Sequence, residues 1–198
     1  PEILKSRIEI NVISVQLKEK RLRNQPVIVS QRGRPFATSA IALQAIIINE
    51  NEQFLLLCSP HRNGPTEWQT VSGRLEAGET ILEGILREVG EEVGPIVVRP
   101  LTVLHSQTFH YDDHVPFMVG IYYLLSYEGG DVVPGDDMTG SAFRWWGLAE
   151  LETAVTNRAI TLHVSTHLWQ LRRAAKLSRL LVDDWVETAV LQPSLTTS

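Results

Sequence analysis

Apolar residues in this chain come mostly in short runs separated by polar turns, a pattern typical of strands. Residues 41–48 are almost all apolar, which predicts a strand buried on both faces. Residues 49–52 predict a turn, and residues 54–58 predict the strand that returns from it. Further strands are predicted at 68–71, 96–109, 115–127 and 143–146, with loops at 59–66 and 110–114 and an acidic, glycine-rich loop at 128–140.

One central stretch has helical spacing instead. Leu82, Leu86, Val89 and Val93 recur at three- and four-residue steps, which predicts a helix that starts near Thr80 and buries this face.

Two more helices follow the last predicted strand. Residues 148–154 predict a short helix, and residues 163–185 predict a long amphipathic one. Strands combined with one central helix and a C-terminal helix predict an α/β fold with helices on both faces of a mixed sheet.

The first 38 residues predict an N-terminal extension. Apolar residues alternate with polar ones over 8–17, apart from one slip near Ile13, which favours a bulged strand. Residues 26–30 predict a second strand, and residues 33–35 break the chain before the main domain. A helix over 2–20 is the alternative. We therefore divide the chain into this extension, a main domain at 39–190 that includes the last helix, and a tail at 191–198.

Charge is distributed unevenly between these parts. The chain has a net charge of −5, whereas residues 1–40 hold eight basic and three acidic side chains, which is +5 and leaves −10 for the remainder. The basic segment is either a solvated extension, or it supplies cations to a phosphate-bearing ligand or an acidic partner subunit. Aromatic residues hardly interleave with these charges, which disfavours a nucleic-acid polymer as the partner.

Composition and length narrow the class further. A chain of 198 residues can bury a sizeable core. No apolar run is long enough to cross a membrane and no signal-peptide pattern is present, so we expect a cytoplasmic protein without a membrane partner. Cys58 is the only cysteine, which excludes an internal disulfide and a cysteine-based zinc site.

The central helix concentrates acidic residues. Glu88, Glu91 and Glu92 fall at i, i+3 and i+4, so the spacing predicts that they share a face distinct from the apolar one. Like charges at this spacing repel one another, and Arg87 can answer only part of that repulsion. Carboxylate oxygens are the ligands that hard divalent cations take, so the cluster indicates a metal site.

The spacing of the whole stretch resembles the Nudix box of the Nudix hydrolases. The matching residues are Gly73, Glu79, Arg87, Glu88, Val89, Glu91, Glu92 and Gly94. Pro95 departs from the aliphatic residue that usually follows the last glycine, which should alter how the helix ends. The resemblance covers roughly residues 41–151.

This resemblance implies a fold, an activity and a set of roles. The fold is an α/β/α sandwich, and the activity is hydrolysis of a pyrophosphate bond in a nucleotide derivative with Mg²⁺ or Mn²⁺. Glu88, Glu91 and Glu92 would be the metal ligands, and one of them or a carboxylate outside the box would be the general base. Arg87 would orient the carboxylates through Glu79 or Glu91. The outside candidates are Asp112, Asp113, Glu128, Asp131, Asp136, Asp137 and Glu152.

The residues before the box suggest a substrate. The run WQTVSGRLEAGET resembles the dihydroneopterin triphosphate or dATP pyrophosphohydrolase subgroup, which makes Trp68, Gln69, Ser72 and Gly73 candidate substrate-binding residues. One alternative is an ADP-ribose or ADP-sugar pyrophosphatase, in which residues 1–38 would be a β segment exchanged within a homodimer. Another is a regulator that kept the fold and lost catalysis, although the intact carboxylates argue against it.

Overall fold

The computed structural model describes residues 27–59, 65–135 and 138–181. The strands within these ranges are β1 (Val27–Val29), β2 (Pro35–Ala37), β3 (Ala40–Ile48), β4 (Gln53–Cys58), β5 (Glu67–Trp68), β6 (Val71–Arg74), β7 (Val97–Phe109), β8 (Met118–Gly129), β9 (Ala142–Gly147) and β10 (Thr161–Leu162). The helices are α1 (Ile81–Val93), α2 (Leu148–Thr156) and α3 (Leu168–Leu181).

A mixed sheet with the strand order β7-β8-β3-β4-β9 forms the centre of the fold. Strand β3 pairs in parallel with β8 along its whole length. On its other side the first half of β3 pairs antiparallel with β6, and its end pairs with β4 at Ile48 and Phe54. The sheet therefore surrounds β3, which accounts for its almost unbroken apolar run.

Side chains on the two faces of the sheet pack against different helices. Leu43 and Ile47 belong to the core that includes Ile85 of α1. Ile46 belongs to the opposite core, together with Leu171 of α3. Burying each large apolar side chain stabilises the fold by roughly 1.5–3 kcal/mol. The predicted sandwich, with helices on both faces of a mixed sheet, is thus confirmed.

Helix α1 begins where the sequence predicts. Thr80 is its N-cap: its hydroxyl accepts a hydrogen bond from the Glu83 N–H at 3.3 Å, and the Glu83 carboxylate accepts one from the Thr80 N–H at 2.8 Å. This reciprocal pair satisfies donors that the first turn of a helix leaves without partners. Glu79 lies just before the cap.

The buried face of α1 differs from the predicted one. Leu86 is 39% exposed, whereas Ile85 is fully buried beside Val89. Glu88 and Glu92 are also buried, at 9% and 3% exposure, and so lie on the core-facing side of the helix. The prediction of a separate acidic face is therefore wrong for these two carboxylates.

The loop that follows β8 packs against the end of α1. The N–H groups of Val133 and Gly135 donate to the carbonyl oxygens of Val93 and Glu92, at 2.9 and 3.2 Å. The last carbonyls of a helix need such outside donors. Gly94 ends the helix with φ 78°, and a Cβ there would lie 2.8 Å from the Val133 carbonyl oxygen. The described part of the loop predicted at 128–140 is therefore a cap for α1.

Two other boundaries also differ. The strand predicted at 68–71 is two strands, β5 and β6, so Gly73 lies within a strand and not in a loop. Helix α3 begins at Leu168 and not at residue 163, because residues 163–167 form a turn in which the Thr166 N–H donates to the His163 carbonyl at 2.8 Å.

Strands β1 and β2 form a hairpin that pairs with no other described strand. This agrees with the strand predicted at 26–30, and the predicted break at Gly33 is the turn of this hairpin, with φ 74°. The strand predicted over 8–17, the candidates Asp136 and Asp137, and the tail at 191–198 lie outside the described residues. The division at residues 38 and 190 stays a prediction. Among the described helices, none is long and apolar enough to span a bilayer.

Candidate active site

Two carboxylates of α1 bind the outer edge of strand β6. The Ser72 N–H donates to Glu92 Oε2 at 3.1 Å, and the Arg74 N–H donates to Glu88 Oε1 at 3.0 Å. These N–H groups point away from β3, because Ser72 and Arg74 occupy alternate positions along an antiparallel pair. The strand edge thereby satisfies two carboxylates that would otherwise be buried at a large cost.

Gly73 leaves the space that the Glu88 carboxylate occupies. A Cβ built on Gly73 would lie 1.8 Å from Glu88 Cδ and 2.0 Å from both carboxylate oxygens. Gly84 has a similar role where the helix crosses the sheet, because a Cβ there would lie 2.7 Å from Leu43 Cδ1. Two glycines thus determine how closely α1 and its carboxylates approach β3 and β6.

The guanidinium of Arg87 joins three glutamates and a main-chain carbonyl. It binds Glu79 through Nε at 2.7 Å and Nη2 at 3.1 Å, and its Nη1 donates to Glu88 Oε1 at 2.9 Å and Glu91 Oε2 at 2.8 Å. Its Nη2 also donates to the Arg74 carbonyl at 2.8 Å. The predicted contacts with Glu79 and Glu91 are thus both present, together with a third to Glu88.

The ion pairs of Arg87 shift its own pKa and the pKa of Glu79. The hydrogen bond from Arg87 is the largest cause that lowers the pKa of Glu79, and an N–H from Glu76 adds to it. The three carboxylates in turn raise the pKa of Arg87, with Glu79 the largest cause. Arg87 therefore stays cationic and Glu79 anionic at neutral pH.

Glu91 and Glu92 lie in the last turn of α1, where no basic side chain is present. The negative end of the helix dipole disfavours anions there, by about 0.3–1 kcal/mol each at exposed positions. A cation bound at this end would relieve that repulsion. The side chain of Glu91 is 41% exposed, so it is the carboxylate of the three that solvent and ligands reach most readily.

The donor set fits a hard divalent cation, since it consists of oxygen atoms that come from adjacent turns of one helix. Within the described residues, however, no three His, Cys, Asp or Glu side chains converge on one point to form a ready metal site. Instead, Arg87 Nη1 bridges Glu88 and Glu91. The role of Glu88, Glu91 and Glu92 as metal ligands therefore stays a prediction.

The candidate substrate residues lie on β5 and β6 and in the link between them. The Trp68 ring packs edge-to-face on Trp146 with ring centroids 5.3 Å apart, and the buried Gln69 amide donates to Met138 Sδ at 3.8 Å. Ser72 and Gly73 adjoin the carboxylates as described above. Trp68 and Gln69 thus have packing contacts in the core, and their substrate contacts stay a prediction.

Outside carboxylates occupy different ends of the molecule. Asp112 and Asp113 lie in the turn between Phe109 and Met118, at the end of the sheet where β3 begins and β6 ends. N–H groups of His114 and Val115 hold the Asp112 carboxylate, and the Val115 N–H is the largest cause that lowers the pKa of Asp112.

The other described candidates lie elsewhere. Glu128 pairs with Arg99 near the far end of β8, and Glu152 pairs with Arg172 in the helical layer opposite α1. Asp131 is exposed at the start of the segment that leads to the cap of α1. Which of these carboxylates, if any, completes the site therefore stays a prediction.

The sequence analysis did not single out Arg74 and Gln44, which lie on the face of the sheet opposite α1. Because Gly73 faces α1, its neighbours Ser72 and Arg74 place their side chains on the opposite face of the sheet, and Arg74 is exposed there. Gln44, directly opposite Ser72, is 4% exposed on that same face. The signal available for Gln44 was a single amide within an apolar run.

A model of the NUDIX domain matches residues 38–164, which is more than half of the chain. The chain therefore belongs to the Nudix family.

Curated relatives of this chain include hydrolases of two kinds. The chain is 31% identical over 119 residues to an NAD-capped RNA hydrolase NudC of Pseudomonas aeruginosa, which covers 60% of this chain and 40% of that protein. It is 33% identical over 105 residues to an 8-oxo-dGDP phosphatase NUDT18 of Danio rerio, covering 52% and 30%. The chain thus spans well under half of the length of these relatives.

Solved structures agree on the fold. An ADP-ribose pyrophosphatase of Streptococcus suis has a TM-score of 0.56 at 20% identity, covering 72% of this chain and 93% of that one. A MutT protein of Methanosarcina mazei has a TM-score of 0.53 at 23% identity, covering 71% and 96%. At this identity the likeness shows the Nudix fold and not the substrate.

Proposed function

We propose that this chain is a pyrophosphohydrolase that uses Mg²⁺ or Mn²⁺ to cleave a phosphoanhydride in a nucleoside di- or triphosphate derivative. One observation carries the proposal: Glu88, Glu91 and Glu92 project from two turns of α1, and one arginine and two strand N–H groups fix them in place. Membership of the Nudix family supports it.

The residues divide the chemistry between them. Glu88, Glu91 and Glu92 would hold the cation, which when bound neutralises phosphate charge and lowers the pKa of a water. Arg87 orients Glu88 and Glu91, and it is too occupied by carboxylates to bind substrate as well.

Glu91 is our candidate for the general base. It is the most exposed of the three carboxylates, and Arg87 binds its Oε2 at 2.8 Å, which leaves lone pairs for a water proton. A carboxylate outside the box could replace it in this role.

Two substrate classes are candidates for this reaction. The sequence of 68–73 favours a triphosphate such as dihydroneopterin triphosphate or dATP. The relatives' names instead point to nucleoside diphosphate derivatives, including an NAD cap, so ADP-ribose and NAD-like substrates form the second candidate. An RNA carrying such a cap is one arm of the test, although the scarcity of aromatic residues among the basic side chains of residues 1–40 disfavours a nucleic-acid polymer.

The test is a panel of nucleoside triphosphates, ADP-ribose, NADH and NAD-capped RNA with Mg²⁺, in which products are identified. Release of pyrophosphate indicates a nucleoside triphosphate substrate, and release of AMP with a sugar phosphate indicates an ADP-ribose substrate. Glu91→Gln and Glu92→Gln should each lower turnover by orders of magnitude, since an amide is a poor ligand for the cation. Glu150→Gln, on α2, is the matched control.

Glutamine at position 92 can still accept the Ser72 N–H, so the fold should survive this change. Wild-type turnover of Glu92→Gln would contradict the proposal. Nucleotide binding with no turnover of any substrate would instead support the regulator.

We also propose that the N-terminal extension makes subunit contacts in a homodimer. The β1–β2 hairpin exposes Val27, Ile28, Val29 and Phe36, each by more than half of its surface. A hairpin alone is marginally stable in water, so it needs a surface to cover it. Ile28→Asp should shift the mass measured by light scattering from dimer to monomer, and a monomeric wild type would contradict this.

A further inference from the structure

Two neighbouring N–H groups on the outer edge of β6 bind side chains from opposite layers of the fold. The Ser72 N–H donates to Glu92 Oε2 of α1 at 3.1 Å. Two residues earlier, the Thr70 N–H donates at 3.2 Å to Thr166 Oγ1, in the turn that precedes α3. A two-residue step spans about 6.8 Å of an extended strand and returns to the same edge. Thr166 therefore fixes the main chain directly next to the contact that holds Glu92.

The Thr166 hydroxyl is held in place by a buried network. Thr166 is 1% exposed, and Gln44 Nε2 donates to its Oγ1 at 3.2 Å. The same Nε2 also donates to Thr70 Oγ1, which lies 3.3 Å from Thr166 Oγ1. Gln44 is the register partner of Ser72. The hydroxyl thus joins the turn before α3 to β3 and to the residue that leads into β6.

Main-chain hydrogen bonds hold this turn against the segment before β6. Strand β10 pairs in parallel with β5, and the Thr161 N–H donates to the Thr66 carbonyl at 2.9 Å. The His163 N–H donates to the Trp68 carbonyl, also at 2.9 Å. The turn before α3 therefore continues a ladder of contacts that runs alongside β5, and Thr166 extends that ladder to the residue before β6.

We propose that Thr166 is a positioning residue for Glu92 in the candidate active site. Its hydroxyl fixes the Thr70 main chain and, through it, the Ser72 N–H that binds this carboxylate. This assignment rests on the proposed function, in which Glu92 is a ligand of the cation. Thr166 lies just beyond residues 38–164, which match the NUDIX domain model, so its contact is not part of the matched stretch.

Three variants separate the hydroxyl of Thr166 from the stability of α3. Thr166→Val removes the hydroxyl and leaves the buried Thr70 N–H without its acceptor. Thr166→Ser keeps the hydroxyl and should behave as the wild type does. Ala174→Gly is the matched control, because it weakens α3 at a fully buried position and leaves the Thr166 hydroxyl in place.

Three measurements are made on each protein: amide hydrogen exchange of Ser72 by NMR without metal, affinity for Mn²⁺ by calorimetry, and kcat and KM on the best substrate of the panel. For Thr166→Val we expect exchange at Ser72 about 10-fold faster, Mn²⁺ binding about 10-fold weaker and kcat about 10-fold lower. KM should stay within about two-fold of the wild-type value. Ala174→Gly should lower the melting temperature and leave Mn²⁺ affinity and kcat within about two-fold of the wild type.

Unchanged exchange at Ser72 in Thr166→Val, or equal losses of Mn²⁺ affinity and kcat in Ala174→Gly, would overturn the inference. Faster exchange with wild-type Mn²⁺ affinity and kcat would show a structural role only and would overturn it as well. A wild type that neither binds Mn²⁺ nor hydrolyses any substrate would instead overturn the proposed function, and exchange at Ser72 would still decide whether Thr166 fixes the contact with Glu92.

One outcome needs no variant to fold. In the wild type, the Thr70 and Ser72 amides should have protection factors within about three-fold of each other, because one local opening exposes both. A Ser72 N–H that exchanges far faster than the Thr70 N–H would overturn the inference, since Thr166 would then hold Thr70 without fixing Ser72.

Discussion

Replacing Gly73 by alanine tests how the carboxylates are positioned. Gly73 does not have a positive φ, so alanine can adopt its backbone conformation. The added methyl group would lie within 2.0 Å of both Glu88 oxygens, so the carboxylate must leave. It would then lose the hydrogen bonds from the Arg74 N–H at 3.0 Å and from Arg87 at 2.9 Å.

The expected cost follows from these contacts. Overpacking and the loss of a buried hydrogen bond each cost about 1–3 kcal/mol, and they are alternatives in part because the moving carboxylate relieves the clash. We expect Gly73→Ala to lower the free energy of unfolding by about 2 kcal/mol, or the melting temperature by roughly 4–8 °C. Turnover should fall as well, since Glu88 is displaced.

A double-mutant cycle in urea isolates the cause. In a Glu88→Ala background the methyl group meets no carboxylate, so Gly73→Ala should change stability by no more than about 0.5 kcal/mol. Gly90→Ala is the matched control: nothing lies within 4 Å of its added Cβ, and it should stabilise the exposed face of α1 by about 1 kcal/mol. An equal cost of Gly73→Ala in both backgrounds would refute the steric reasoning.

Three further predictions concern the same region. Arg87→Lys should lower the free energy of unfolding by roughly 1–3 kcal/mol, because an ammonium cannot reproduce the forked contacts, whereas the exposed Arg173→Lys should shift it by under about 0.5; equal urea midpoints would contradict this. Folding lowers the pKa of Glu79 below its ordinary value of 4.5, so the ionised carboxylate stabilises the fold above about pH 4.5, and this contribution is lost as the pH falls through the lower pKa of the folded state. Glu79→Gln should therefore narrow the difference in urea midpoint between about pH 7 and about pH 3. An unchanged difference would count against the pairing with Arg87. Both Gly94 and Gly78 have positive φ, but only Gly94 faces a carbonyl within 2.8 Å, so Gly94→Ala should cost roughly 1–3 kcal/mol more than Gly78→Ala in thermal melts, and similar costs would rule out the close approach to the loop after β8.

The sequence predicted the elements well where the local pattern decides them. The apolar run of β3, the turn after it and the start of α1 at Thr80 follow from burial, turn residues and capping, each of which is written within a few neighbouring residues. Repeated helical spacing also identified α1, although it assigned Leu86 to the core in place of Ile85.

Periodicity gave wrong predictions where contacts with a distant strand bury a polar residue. Glu88 and Glu92 are buried because the edge of β6 supplies N–H donors, and nothing within α1 itself announces those donors. In the same way, pairing with β3 places Gly73 in a strand, and the long-range contacts of Thr166 with Gln44 and Thr70 belong to the turn that delays the start of α3. Local sequence does not encode such pairings.

The union of the α1 carboxylates with β6 has a consequence for solubility. A strand with unpaired N–H groups is a template on which other chains can assemble, and here two side-chain anions cover those groups. Variants that truncate Glu88 or Glu92 would expose an unpaired strand edge as well as remove the proposed ligands of a cation. Aggregation of such variants should therefore be measured alongside their activity, because Glu88 and Glu92 also keep the edge of β6 from pairing with another copy of the chain.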